Sequence, residues 1–544
     1  MKRELKDLTN TTFDLLIVGA GIYGTTAAWD AAQRGLSVAI IDRGDFGGAT
    51  SFNSAKTVHG GVRSLQSGNV SELRLFVRER RTLCRILPHL VHPLPFLIPT
   101  YQNFSRNRWL MSMYFAINDC LAYDRNDLSD SSKYLPASHS ISREECLELY
   151  PWLVAPDLTG AMVWYDCQMY NTDRVNLSFL LSATDAGAVA ANYVKARAFL
   201  RSGKRVVGVS ARDIIGGQDF EIRSHLVLNA AGPWAGQLNE SLLPGRRNRI
   251  VPSLSKAMNL IVRPITKDHA VGGRTKSRFL FIAPWRDCSI IGTSHETHEG
   301  GAQSLKVTQT DIERFLKDIN TAFPSLNLTL PDVRFVHLGL LPSSSTSHHS
   351  LRLLKRSQIL DHRISGINGL LTVLGVRYTT ARQTAQQAID LAFSMLDRDS
   401  PPCRTTDIPL TGGAISNFSD FLNKETNRTI AGLTTETLRR LVLSYGSEHR
   451  TILRTIETDR AAANSLSTTC GVTCAEIKHA VRHEMAVKLS DSVLRRTEAG
   501  SAGHPGSDVL RRAANVMAWE LGWTPSQVQA EIDATDNYYK INQE

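Results

Sequence analysis

Gly19-Ala20-Gly21-Ile22-Tyr23-Gly24 constrains this chain more than any other stretch. It follows an apolar run, Phe13 to Val18, that reads as a buried parallel strand. It opens an alanine-rich helical segment that Gly35 ends. A second apolar run, Ser37 to Ile41, comes next, with Asp42 at its end. Inside a complete β-α-β unit, G-x-G-x-x-G marks a loop that holds a dinucleotide pyrophosphate. The first glycine permits the tight turn, the second lets backbone approach the phosphates, and the third lets helix and strand pack closely. The helix N-terminus offers free N–H groups and partial positive charge, and Asp42 can accept from a ribose hydroxyl.

The rest of the chain has an ordinary globular balance. Its 544 residues, 42% hydrophobic and 21% charged, suffice for a large core and more than one domain. No apolar run approaches the roughly 18 residues that would cross a bilayer, and MKRELKDLTNTTFD lacks the apolar core of a signal peptide. A cytoplasmic location is therefore expected. The eight cysteines are scattered and imply neither a metal centre nor a disulfide framework. A net charge of +10 suits an anionic substrate or membrane surface, and no zinc-finger or RRM-like pattern points to nucleic acid.

Short strands are expected at Val206–Val209, Leu226–Asn229, Phe279–Ala283, Ser289–Gly292 and Leu370–Leu374, with a turn at PWRD between the third and fourth. Several lack intervening helices, which suggests a second, more antiparallel sheet facing the substrate. Tyr378 onward is strongly helical. Asp397 to Gly413, rich in Pro, Gly, Ser and Thr, reads as a linker at 396–413. Beyond it the pattern is helical, including Leu438–Tyr445 and Ala475–Arg495.

After Asp42 the chain turns to small and hydroxyl residues and then carries His59-Gly60-Gly61. Ala49 to Arg63 matches A-T-S-x-x-S-x-K-x-x-H-G-G-x-R. Tyr165-Asp166-Cys167, Asn229 to Trp234, Ala283-Pro284-Trp285 with Ile290 to Thr293, and Gly375 to Thr380 follow in order, with Glu484, Asp491 and Arg495-Arg496-Thr497 in the tail. On these motifs the sequence resembles the FAD-dependent glycerol-3-phosphate dehydrogenases, within the D-amino-acid-oxidase-like flavoproteins, nearly end to end. The resemblance implies an α/β fold: a Rossmann-like FAD-binding domain with an inserted, mainly antiparallel substrate sheet, plus an all-α C-terminal domain. The FAD-binding parts would span about 10–100, 160–240 and 350–395 of the region 10–395, the substrate parts 101–159 and 241–349, and the helical domain 414–544.

Carried over by motif, Gly19, Gly21, Ile22, Tyr23, Gly24, Asp42, Arg43, Thr50, Ser51, Lys56 and Val194 would bind FAD, with His59 and Gly60 near the flavin. Ala230 and Gly232 would pass beneath the cofactor. Gly375, Arg377, Tyr378 and Thr379 would present backbone amides to the flavin's N1/O2 edge at a helix start, where hydride transfer to N5 leaves negative charge. His59, Arg63, Asn259, Arg356 and Arg377 are the candidate catalytic and substrate-holding residues.

The substrate side departs from the family pattern. Leu341 stands where the resemblance leads one to expect a phosphate-binding arginine, Arg377 replaces a lysine, Asn259 a histidine and Ser64 a tyrosine. The leading expectation is oxidation of sn-glycerol 3-phosphate or a related alcohol, with electrons passed to quinone or another acceptor. Alternatives are oxidation of a non-phosphorylated hydroxy acid, polyol or amine, and a non-catalytic flavoprotein partner. The basic and aromatic residues Arg106 to Trp109 before LMSMYFAI suit contact with the inner face of the cell membrane. A homodimer is a further expectation.

Overall fold

The computed structural model describes all residues except 104–106, 154, 241, 243–252, 276–277, 346–350 and 542–544. Two sheets organise it. The first is eight-stranded and runs Gln358–Asp361, Leu370–Leu374, Asp219–Asn229, Thr12–Val18, Val38–Ile41, Val189–Ala191, with the hairpin Val194–Ser202/Arg205–Asp213 attached to Asp219–Asn229. Its central five strands are parallel. Residues 13–18 are all buried, because helices cover one face of the sheet and the Val194–Ser202/Arg205–Asp213 hairpin packs on the other.

The helix Ile22–Gln33 shows why its alanines are there. It lies between the helices Thr172–Asp185 and Ala381–Met395 and is buried on nearly every side. Trp29 meets Phe179 edge-on at 5.6 Å. Arg34 closes this layer by pairing with buried Asp30 (2.8 Å) and with Asp390 (2.6 Å).

The second sheet has ten strands. It runs Leu351–Leu353, Val333–Ser345, Ser253–Val262, Cys288–His298, Phe279–Trp285, Ala270–Arg274, Val91–Tyr101, Leu158–Met169, Thr57–Val58, with His139–Ile141 also on Leu158–Met169. All described pairings are antiparallel except Ala270–Arg274 with Val91–Tyr101. Sequence boundaries at 100 and 160 divide this sheet wrongly. Val91–Tyr101 and Leu158–Met169 pair along their whole length and belong to the second sheet.

Other details also differ from expectation. Pro284 and Trp285 continue their strand, so the hairpin turns at Arg286-Asp287. The helix after Leu370–Leu374 begins at Ala381 rather than Tyr378, leaving 375–380 as a turn. The expected helix over 475–495 is broken. Cys474–Glu484 ends where Met485 adopts a left-handed φ of 53°, and Asp491–Arg496 forms a separate π-helical turn. The carboxylate of Asp491 explains the break, accepting from the amides of Val487 (3.0 Å) and Lys488 (2.9 Å). Residues 397–413 carry no regular helix or strand, yet they are strapped down: Leu410 is buried, Arg382 donates to Thr405, and Arg34 donates to Ser400.

Candidate functional site

A single cavity of about 1270 Å³ runs from Asp42 past the glycine loop to the cavity face of the second sheet. That exceeds the usual 300–1,000 Å³ of a small-ligand pocket and leaves room for a dinucleotide with a small substrate beyond it.

At the nucleotide end, local chemistry sets the geometry. Gly19 has φ +104°, and a Cβ on Gly24 would lie 1.9 Å from the Gly19 carbonyl. Only glycine lets this helix approach the turn so closely. Asp42 accepts from the amides of Ala20 (2.7 Å) and Gly44 (2.9 Å), which fixes its carboxylate at the strand end. Burial pushes its pKa up to about 6. Val194 lines the cavity and donates its amide to the Asp42 carbonyl at 2.7 Å. Ala230, on the crossing loop, donates to Val18 O at 2.9 Å, and Gly232 follows it along the wall. Arg43 stacks on Trp234 at 4.5 Å beside them.

The two hydroxyls of the loop have different duties. Ser51 Oγ accepts the first free helix amide, Ile22 N–H, at 3.0 Å, and its own proton has no acceptor among the described residues, which leaves it available to an anion in the cavity. Thr50 does not match expectation. Its hydroxyl donates to Leu340 O (3.0 Å) and accepts from Leu340 N (3.3 Å), so it ties the loop to the second sheet. Lys56 is a further correction. Its ammonium is wholly buried, donates to Thr172 Oγ1 (3.1 Å), and sits 4.5 Å over Trp285, so it serves packing rather than the phosphates. Burial lowers its pKa to about 8.

The far end is assembled from both sheets. Tyr23 joins its two halves: its hydroxyl donates to Arg377 O (2.7 Å) and accepts from the amides of Val376 and Arg377 (3.1 Å each). Gly375 permits this, because a Cβ there would lie 2.1 Å from the Tyr23 ring. Two of the amides expected to face a flavin are therefore engaged by Tyr23, although residues 375–379 all line the cavity before the helix start. Tyr378 itself donates its hydroxyl to Thr172 O at 2.8 Å.

His59 and Gly60 stand opposite. Asp166 accepts from the Gly60 amide at 2.7 Å, pairs with Arg80, and lies 3.9 Å from His59 Nδ1. The His59 ring opens into the cavity but is otherwise enclosed by protein. Burial, then Arg63, Arg377 and Arg80, lower its pKa to about 4, so it is neutral at pH 7.

Strand alternation builds the cavity's remaining face. Phe279, Phe281 and Ala283 line it from one strand, Thr293 and His295 from the next, and Ala257 and Asn259 from a third. Asn259 donates to Asn53 O (3.1 Å) and accepts from Thr293 Oγ1 (2.8 Å), which fixes its amide in the cavity wall. Leu341 is on this wall, where the resemblance leads one to expect an arginine.

The cavity's cations are not equivalent. Arg377 is already committed, pairing with Glu72 at 2.7 Å and covering Phe76. The expected substrate-holding arginine is therefore engaged by a carboxylate of the protein. Arg356 is exposed and does not line the cavity; its neighbour Lys355 does. Arg278 leans on Ser294 (2.8 Å) and Asp318 (3.3 Å). Arg63 stacks on Phe279 at 5.2 Å and has no acidic partner among the described residues. His295 completes this group. Its Nδ1 is buried without a recorded partner, and burial, then Arg278 and Arg63, lower its pKa to about 4.

Sequence reasoning missed Arg278 and His295, although period-two alternation from Thr293 already places His295 on the cavity face. It also gave no role to Asp166 or Glu72, whose carboxylates fix the Gly60 loop and Arg377.

The chain matches the profile of the FAD dependent oxidoreductases over residues 14–377 and that of the C-terminal domain of alpha-glycerophosphate oxidase over 403–528. It is 32% identical to a glycerol-3-phosphate dehydrogenase of Mycobacterium leprae, over 96% of this chain and 87% of that one. It is 28% identical to a glycerol-3-phosphate dehydrogenase of Synechocystis sp., over 99% and 98%. Among solved structures, the fold matches the glycerol-3-phosphate dehydrogenase of Bacillus halodurans complexed with FAD, with a TM-score of 0.77, 24% identity, and coverage of 98% of this chain and 96% of that one.

Proposed function

The chain belongs to the FAD-dependent oxidoreductase family, and from that premise we propose that it oxidises sn-glycerol 3-phosphate to dihydroxyacetone phosphate and passes the electrons to quinone or another acceptor. The observation that carries the substrate reading is the Arg63–Arg278–His295 group, a cationic, donor-rich corner enclosed at the far end of a cofactor-sized cavity. Arg63 is open to the cavity and has no acidic partner among the described residues, so its guanidinium is free to take an anion through charge-assisted hydrogen bonds.

The glycine loop, helix N-terminus, Asp42 and Ser51 would hold the ADP half of FAD, and His59, beside Gly60, and the 375–379 turn would flank its isoalloxazine; that these line one cavity with the glycine loop supports the reading. Bound FAD supplies a two-electron acceptor. The protein does the rest. Arg63, with Arg278 and His295, holds the phosphate. The Phe279–Phe281 face excludes water behind the carbon skeleton. His59, neutral and 3.9 Å from Asp166, takes the proton of the secondary hydroxyl as the hydrogen on the same carbon leaves as hydride, giving the ketone. Loss of one proton and one hydride balances the two-electron oxidation.

Leu341 favours a second reading, a substrate without phosphate, since it removes a charge that a dianion would use. Anaerobic addition of sn-glycerol 3-phosphate to the flavin-loaded protein separates the two. Bleaching by the phosphate ester supports the first reading, and bleaching by glycerol or a hydroxy acid alone supports the second. Steady turnover with either excludes a non-catalytic role.

A membrane surface is the proposed place of the acceptor. No helix among the described residues is long and apolar enough to cross a bilayer. The helix Arg108–Leu121, however, buries only Phe115, and its opposite stripe carries Trp109 (85% exposed), Met113 (58%) and Ile117 (46%) at i, i+4, i+8. Such a stripe lies flat in a bilayer interface. The double variant Trp109→Ser/Met113→Ser is expected to lose most of its flotation with anionic phospholipid vesicles while keeping turnover with a water-soluble acceptor. Unchanged flotation assigns the stripe elsewhere.

A further inference from the structure

We propose that the C-terminal domain is part of the FAD site, and that Arg495 and Arg496 hold the phosphate-side loop in its ligand-accepting shape through Asp45. Asp45 lies between Asp42 and the loop residues 47–51 that line the cavity. Its carboxylate is fully buried. Arg496 grips it with two nitrogens, at 2.7 Å and 2.8 Å, and Arg495 adds a third contact at 2.5 Å. Burial alone would raise the pKa of this carboxyl, but Arg496 and then Arg495 hold it well below the usual carboxylate range.

The arginines are themselves fixed from within the helical domain and from the first sheet. Arg495 donates to Asp491 at 2.8 Å, and Asp491 also accepts from Tyr193 Oη at 2.6 Å. Tyr193 in turn donates its amide to Gly44 O, inside the nucleotide loop. Arg496 donates to the Glu484 carbonyl, and the Glu484 side chain pairs with buried Arg174 of the core helix Thr172–Asp185. Arg495 also lines the cavity, and a Cβ on Gly48 would meet its Nε at 3.7 Å. The loop that accepts phosphate is therefore closed on one side by the glycine turn and on the other by residues 450 positions away.

Such a connection couples two equilibria. If the docked domain favours the loop shape that binds FAD, bound FAD must favour docking by the same factor. Arg495 and Arg496 are positioning residues here: they act through Asp45. The inference rests on FAD binding alone and is independent of the substrate.

The test uses the full-length protein. Arg495→Met is expected to raise the Kd for FAD, measured by titrating apo-protein, by roughly 5- to 150-fold, the usual span of such couplings. Arg495→Lys, which keeps the charge but cannot bridge Asp45 and Asp491 together, should fall between. Arg482→Met, which removes a surface pair with Glu520 in the same domain, should leave the Kd unchanged. In the parent protein FAD should slow tryptic cleavage at exposed Arg404, in the strap that precedes the helical domain, and this protection should weaken in Arg495→Lys. A folded Arg495→Met with the parental Kd overturns the proposal. So does cleavage at Arg404 that is indifferent to FAD in the parent protein, which remains decisive if Arg495→Met fails to fold.

Discussion

Gly21→Val yields a folded protein without flavin. Gly21 caps the helix Ile22–Gln33 with φ −73° and ψ 179°, an extended conformation that valine adopts without strain. The fold therefore survives. The space does not. A Cβ on Gly21 already lies 3.1 Å from Ser51 Oγ, the hydroxyl that braces the first helix amide. Valine's two further methyls fill the volume through which phosphate oxygens reach that hydroxyl and the helix-start amides. Hydrogen bonds to charged groups contribute about 1.5–3 kcal/mol each, so losing two of them weakens FAD binding by roughly two to four orders of magnitude. The ratio of flavin to protein absorbance in the purified variant, with circular dichroism as the check on folding, measures this. A yellow, fully occupied Gly21→Val protein would place the pyrophosphate elsewhere.

Arg63→Met leaves the flavin bound and removes turnover. Arg63 stacks on Phe279 in the far cavity and has no carboxylate partner among the described residues. Arg377, by contrast, is paired with Glu72, which also accepts from Ser64 Oγ at 2.8 Å. The anion of the substrate therefore gains most from Arg63. Losing one or two charge-assisted hydrogen bonds to that anion, about 1.5–3 kcal/mol each, lowers kcat/KM by roughly ten-fold to ten-thousand-fold. Arg377→Met should cost less, since its guanidinium is already satisfied. Steady-state kinetics with a soluble acceptor ranks the two. Equal losses, or a larger loss at Arg377, would move the anion-holding role away from Arg63.

The parts of this molecule that were legible in sequence are those decided by neighbours in the chain. The turn at Gly19–Gly24 is fixed by its own glycines, and Asp42 is placed by the end of its own strand, so both could be read directly. The resemblance extended that reading to His59 and the 375–379 turn, which line the cavity, and to Gly60, whose amide is taken by Asp166. What could not be read is how distant groups share donors and charges. Thr50 looks like a phosphate ligand until Leu340 takes its hydroxyl. Lys56 looks cationic and available until Trp285 and Thr172 enclose it. Arg377 looks free until Glu72 arrives from another helix. Arg356 sits one residue from the cavity-lining Lys355 and is turned away from it, a distinction that no motif encodes.

Long-range pairing also explains the misplaced boundaries. Val91–Tyr101 follows a helix of the first layer in sequence, but its hydrogen bonds go to Leu158–Met169. Membership of a sheet is set by that pairing, not by chain order. The C-terminal helices read as a separate unit because their local pattern changes after residue 413. The buried Asp45 carboxylate joins them to the nucleotide loop through Arg495 and Arg496.

Anaerobic reduction of the bound flavin is the measurement that tests the central claim most directly. The protein, loaded with FAD and freed of oxygen, is titrated with sn-glycerol 3-phosphate while the visible absorption is followed, and with glycerol in parallel. The account predicts that the phosphate ester bleaches the flavin in a stoichiometric two-electron reaction, that glycerol at the same concentration does so far more slowly, and that Arg63→Met abolishes the difference. A flavin that stays oxidised with sn-glycerol 3-phosphate, in protein that a chemical reductant bleaches normally, would contradict it.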